Sequence, residues 1–296
     1  MAIFAFDDDC ARVLDELRLE RVTIVTLAEF EDQELIAVKP SRTWAEYCWT
    51  TTPSTILYCL QALGWDEVTY LDADLFFFSN PEVLFAEMGS ASILLTAHNY
   101  TPAYDQSKLS GTFCVQFMRF VANDRGLEAA HWWRSKCLEW CYDRRENGKF
   151  GDQAYLEDWT TRFKGVHVLE NQGGGLAPWN ISKYQIRISD EKWWVEWGLR
   201  QWDPVFFHFH GVRFFEGKVL GLDNYRLGPV VLEKIYRPYL KRLIAITRRL
   251  SSEYPSVDWI RARPRQRGLK AVFGQIKNRL LGTWNFISWD RIEQGD

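Results

Sequence analysis

Apolar residues along this chain recur with two periods that take turns. Residues 3–6 alternate and end in the acidic turn Asp7-Asp8-Asp9; helical spacing follows through Leu14, Leu17 and Leu19, then a β-rich stretch over 22–27. Ser41 precedes an aromatic-rich helical segment at 44–49, and Pro53 is expected to separate it from a second helix over 54–63 that Gly64 closes. Short apolar strands are predicted at 66–71, 92–97, 112–120, 166–169 and 205–209, with helical spacing between 127 and 142. Strands taking turns with helices predict an α/β fold with a mixed, mostly parallel sheet flanked by helices. No internal repeat is present.

One strand ends in chemistry. Residues 66 to 81 read Asp-Glu-Val-Thr-Tyr-Leu-Asp-Ala-Asp-Leu-Phe-Phe-Phe-Ser-Asn-Pro. In an extended chain alternate side chains share a face, so Asp72 and Asp74 can close on one divalent cation. Two carboxylates leave open positions on a hard ion such as Mg²⁺ or Mn²⁺, and phosphate oxygens suit those positions. An Asp-x-Asp is more often two solvated loop acids, but the end of an apolar strand is where open α/β sheets place ligands.

Composition narrows the class. At 296 residues, with 47% hydrophobic and 25% charged positions, the chain fits one α/β domain with an appendage, and no apolar run approaches the length that spans a bilayer. The first residues lack a basic stretch followed by an apolar one, so a cytoplasmic location is expected. Six cysteines, with Cys137 and Cys141 one helical turn apart, include no Cys-x-x-Cys pair, and reduced packing thiols are expected. Fifteen tryptophans are more than such a core requires; most are expected to pack helices on a sheet and some to line a groove.

Charge divides the chain. Between Lys234 and Arg279 there are thirteen Lys or Arg against two acids. Tyr236, Tyr239, Leu240, Leu243, Ile244 and Ile246 predict an amphipathic helix, and Phe273, Ile276, Leu280, Leu281, Trp284, Phe286 and Trp289 add apolar and interfacial side chains. A basic helical extension over 223–296, peripheral on the inner face of an anionic membrane, is the expected use; nucleic acid is the disfavoured partner.

Further stretches belong with the Asp-x-Asp strand. Asp152 and Gln153 head a helical segment, Asn171-Gln-Gly-Gly-Gly-Leu-Ala-Pro-Trp-Asn is glycine-rich, Phe206-Phe-His-Phe-His-Gly carries His208 and His210, and Lys39-Pro-Ser-Arg42 is basic. In order and spacing residues 1–222 resemble a GT-A fold glycosyltransferase, nearest to the retaining enzymes of glycosyltransferase family 8, which include bacterial lipopolysaccharide and capsule transferases. The resemblance implies Mn²⁺ or Mg²⁺ on Asp72, Asp74 and His208, with His210 in reserve. It implies donor contacts from Lys39, Arg42, Asp72, Asp74 and Arg213, catalytic roles for Asp152 and Gln153, and acceptor or sugar contacts from Gly174, Trp179 and His98. Taken from sequence alone, Asp152 is equally a helix N-cap, the glycines a turn, and Lys39 and Arg42 solvated surface.

Three departures stand out. The family's Asn-x-Gly strand reads Gly111-Thr-Phe-Cys114-Val here, and Val212-Arg213-Phe214 replaces Lys-Pro-Trp. The chain also reads as beginning at the family's second strand. The resulting expectation is a metal-dependent, retaining transfer of sugar from a nucleotide diphosphate donor, with a UDP-sugar favoured, to a saccharide or lipid-linked acceptor. The alternatives are a non-catalytic binder on the same fold and a sugar nucleotidyltransferase.

Overall fold

The computed structural model describes residues 1–190, 192–264, 269–283 and 285–294. The chain is α/β and forms two compact units: Met1–Asp72, Glu82–Asn99 and Asp105–Glu170 make the first; Ala73–Pro81, Tyr100–Tyr104 and Asn171–Asp296 make the second.

In the first unit β1 (Ala2–Ala5) pairs parallel with β2 (Thr23–Thr26), backed by Val25, Phe30 and Leu35. The larger sheet has the order β3-β6-β5-β7, from β3 (Glu67–Leu71), β5 (Ile93–Ala97), β6 (Phe113–Val121) and β7 (Val166–Val168). β5 and β6 are buried along nearly their whole length, as strands covered on both faces must be. The helices Trp44–Leu57 and Asp124–Glu139 pack on one another, and Trp133 meets Trp159 edge to face in the core at 5.6 Å.

The second unit is built from small sheets. β4 (Leu75–Phe77), β8 (Gly174–Leu176) and β12 (Phe206–His208) form the order β4-β12-β8. β9 (Gln185–Ser189), β10 (Lys192–Trp197) and β11 (Arg200–Trp202) form an antiparallel meander. β13 (Arg213–Phe215), β14 (Val219–Gly221) and β15 (Phe286–Ser288) form a third antiparallel set.

Three expectations change. Antiparallel pairings outnumber parallel ones among the described strands, so the sheets are mixed but not mostly parallel. The physical reason is visible between β5 and β6, whose connection holds only single turns at Pro102–Tyr104 and Ser107–Ser110 and no crossover helix. Pro53 does not divide the 44–63 region: one α-helix runs from Trp44 to Leu57 through it and continues as a π-helical turn, Tyr58–Ala62. The amphipathic helix expected in the basic tail is Arg237–Glu253, but its apolar face, with Tyr236, Leu240 and Ile244, is buried. Residues 223–296 are compact with 171–222, and β15 closes on β14. Of the apolar tail residues, Trp289 is buried, Phe273, Ile276, Leu280, Leu281 and Phe286 are exposed, and Trp284 lies outside the described residues.

Candidate functional site

In the first unit β3 delivers Asp72. β3 pairs antiparallel with β6 up to Leu71↔Phe117, and the Asp72 N–H still donates to the Gln116 carbonyl, so the backbone of Asp72 is fixed by the sheet. The Tyr70 hydroxyl, on the same strand face two residues earlier, donates to Asp72 Oδ1 at 3.0 Å. Burial and then the charges of Asp72 and Asp152 push the Tyr70 phenol well above its ordinary value, so it remains a donor at any physiological pH.

Asp152 is buried in the same unit. Burial first, then the charge of Asp72, pushes its carboxyl up to about 7 against the opposing effects of its own backbone N–H and Thr52. Thr52, in the helix Trp44–Leu57, favours the ionised form of both Tyr70 and Asp152, while Trp133 Nε1 donates to the Asp152 carbonyl at 2.9 Å. Asp152 precedes the 3₁₀ turn Gln153–Leu156 without making a side-chain capping bond, which removes the N-cap explanation for it. Its carboxyl is thus buried within the electrostatic reach of a second carboxylate.

In the second unit β12 delivers His208. The register His208↔Leu75 places it opposite the first residue of β4, with Asp74 just before; Phe209 N–H donates to the Asp74 carbonyl at 2.9 Å, and His208 Nε2 lies 3.0 Å from Asp74 Oδ1. Burial alone would raise the Asp74 carboxyl, but the His208 hydrogen bond and the charges of His208 and His210 outweigh it and hold it below its ordinary value. His210 is held below its ordinary value by burial and by His208. Trp179 packs edge-on against His208 at 5.3 Å and His210 at 5.7 Å, and its carbonyl accepts from the Thr101 N–H and hydroxyl. Asp72 stands two residues before Asp74, so their Cα atoms are at most about 7 Å apart by chain geometry alone.

Over 264 residues the chain is 33% identical to the uncharacterized protein YfnD of Bacillus subtilis (strain 168), covering 86% of this chain and 82% of the relative. It belongs to the YfnD family. A second relative from the same organism, the uncharacterized protein YfnF, is 31% identical over 71% of each chain. No family model matches the chain. Neither relative's name states an activity, so what the YfnD family does must be argued from residues.

The remaining expected site residues fall on both units. Lys39 pairs with Glu31 at 2.6 Å, and Arg42 lies over the Tyr142 ring at 3.9 Å and donates to the Leu138 carbonyl; both are engaged in internal contacts and are not simply solvated. Gln153 opens the 3₁₀ turn beside Asp152. His98 is buried, its N–H on the Thr112 carbonyl. Arg213 is exposed at the start of β13. Trp179 is buried, with its ring set against the two histidines.

Gly174 lies in β8, but its neighbours carry the constraint. A Cβ on Gly173 would lie 2.0 Å from the Asp203 carbonyl oxygen, and Gly175 has φ +107. The Asn180 side chain spans this loop, accepting from Ala177 N–H and donating to the Gly175 carbonyl. The sequence motifs leave out Tyr70, Thr52 and Asp223, whose carboxylate lies against Gly211 beside His210. The i, i+2 spacing of Tyr70 and Asp72 was the available signal for the first; the others are brought in only by tertiary folding.

Proposed function

We propose that the chain is a metal-dependent glycosyltransferase on a GT-A nucleotide-sugar fold. In this reading Asp72, Asp74 and His208 hold a divalent cation, and a nucleotide diphosphate sugar is the donor. The observation that carries it is the Asp74–His208 pair, an anionic carboxylate and a buried imidazole 3.0 Å apart at adjoining strand ends, on the motif where Asp72 supplies a second carboxylate.

Two carboxylates and one imidazole suit Mn²⁺ or Mg²⁺, and neither a closed zinc cage nor a soft-metal site is implied. When bound, the ion would supply Lewis-acid stabilisation of the departing diphosphate. The chain's own groups do the rest. Asp74 and His208 fix each other's orientation, and Tyr70 holds Asp72. Asp152 or Gln153 steadies cationic charge on the sugar as its bond to the diphosphate oxygen breaks and the acceptor hydroxyl adds from that same face, its proton passing to the departing phosphate oxygen, which retains configuration.

The acceptor is a saccharide or a lipid-linked saccharide. No helix among the described residues is long and apolar enough to cross a membrane. Peripheral attachment through the C-terminal helix Leu269–Leu280 is supported by exposed Phe273, Ile276 and Leu280 beside Lys277 and Arg279.

Thermal shift with Mn²⁺ against UDP-, GDP-, dTDP- and CMP-sugars tests the reading. A metal-dependent shift with one donor, absent in Asp72→Asn/Asp74→Asn, is expected, together with donor hydrolysis or transfer. Loss of neither metal nor donor binding in that variant overturns the metal assignment, and donor binding without turnover identifies a non-catalytic binder.

A further inference from the structure

The β9-β10-β11 meander ends in a tip that the Asp74–His208 arrangement does not use. β10 and β11 reverse at Gly198, with φ +62, and Leu199. Leu199 is 107% exposed, and Trp197, next to the turn, is 53% exposed. The register sets Trp197 opposite Arg200, which is exposed, and Lys183 places Nζ 4.1 Å from the centre of the Trp197 ring. The one acid on this end of β10, Glu196, is engaged by Arg187 Nε at 2.9 Å and by Trp194 Nε1 at 2.9 Å. An aliphatic apex, an indole behind it, a lysine over that indole and an exposed arginine across the register from it therefore lie together at this tip.

We propose that this tip is a membrane anchor, with Leu199 and Trp197 entering the interfacial layer of an anionic bilayer and Lys183 and Arg200 meeting its phosphates. Indoles concentrate at the depth where an apolar ring and a polar edge are both satisfied, and cations beside them favour anionic headgroups. Charge complementarity selects the occupant. A saccharide would need an open ring face and hydrogen-bonding groups, whereas Lys183 already occupies one face of Trp197 and Leu199 offers no polar group at the apex. The inference shares the membrane with the proposed function but rests neither on the metal site nor on the C-terminal helix.

The full chain should sediment with phosphatidylcholine vesicles containing phosphatidylglycerol, and much less with phosphatidylcholine alone. Leu199→Asp and Trp197→Ser should each weaken that partition about tenfold or more, while Leu199→Phe should preserve or strengthen it. Brominated lipid should quench the wild-type fluorescence, and Trp197→Phe should reduce the quenching. The far-UV spectrum should not change in any of these variants, since the side chains are exposed. Several results would overturn the anchor: no binding of wild type to the anionic vesicles, undiminished binding of Leu199→Asp, or loss of binding only in Lys277→Glu/Arg279→Glu. A Trp197 fluorescence response to soluble oligosaccharide and none to vesicles would do the same, by making the tip a sugar platform.

Discussion

The Tyr70 hydroxyl donates to Asp72 Oδ1 across 3.0 Å, from the same face of the strand that carries both residues. That bond selects one rotamer of the carboxylate before any ligand arrives. Tyr70→Phe keeps the ring and removes the donor, so Mn²⁺ affinity should fall roughly tenfold, the range typical of groups that orient a ligating side chain. Calorimetric titration with Mn²⁺ checks this, and an unchanged dissociation constant would deny the bond any orienting role.

Asp152 ties stability to pH. Its folded pKa of about 7 lies above the ordinary carboxylate value, so the native state binds its proton more tightly than the unfolded chain does. The stability this confers is full below the unfolded pKa near 4 and is lost as pH rises through about 7, a change of at most about 4 kcal/mol. Urea unfolding in EDTA from pH 4 to 8 should show this decline in the stability of wild type relative to Asp152→Asn, a difference that removes the opposite contributions of Asp74 and His210, both held below their ordinary values. A wild-type-minus-variant difference that stays flat or rises with pH over that window would contradict the burial-driven shift.

Gly173 sits where the Asp203 carbonyl leaves no room for a side chain. Gly173→Ala should cost on the order of 2 kcal/mol, because backbone and not a movable side chain must give way. A denaturant midpoint within error of wild type would show that the loop relaxes freely.

Trp179 separates two readings of an aromatic near a candidate sugar site. As a buried wall for His208 and His210, its replacement by Ala should cost about 3–5 kcal/mol and weaken Mn²⁺ binding as well. An open stacking residue would leave stability within about 0.5 kcal/mol of wild type. Thermal denaturation with and without Mn²⁺ distinguishes the two.

The strands at 2–5, 23–26, 67–71, 93–97 and 113–121 are legible because their apolar runs are short and bounded by turn residues. Pro53 misleads because burial outweighs one lost hydrogen bond. The missing proline N–H costs one bond, to the Trp49 carbonyl, and every residue from Thr50 to Leu57 is buried, so packing carries the helix through it. The meander over 185–202 escapes notice because tryptophans, charges and a glycine break its alternation. In the candidate site, the sequence motifs carry Asp74 and His208, and the structure pairs them. Thr52 and Asp223 owe their positions to contacts made across long stretches of chain, which no local pattern encodes.

β14 at Val219–Gly221 finds its outer partner in β15 at Phe286–Ser288, while every segment of the first unit is already made by Glu170. During synthesis the first unit can therefore compact while the rest is still emerging from the ribosome, and the last sheet of the second must wait for almost the whole remaining chain. Interrupted translation would leave β14 as an open edge, an invitation to pair with another nascent chain.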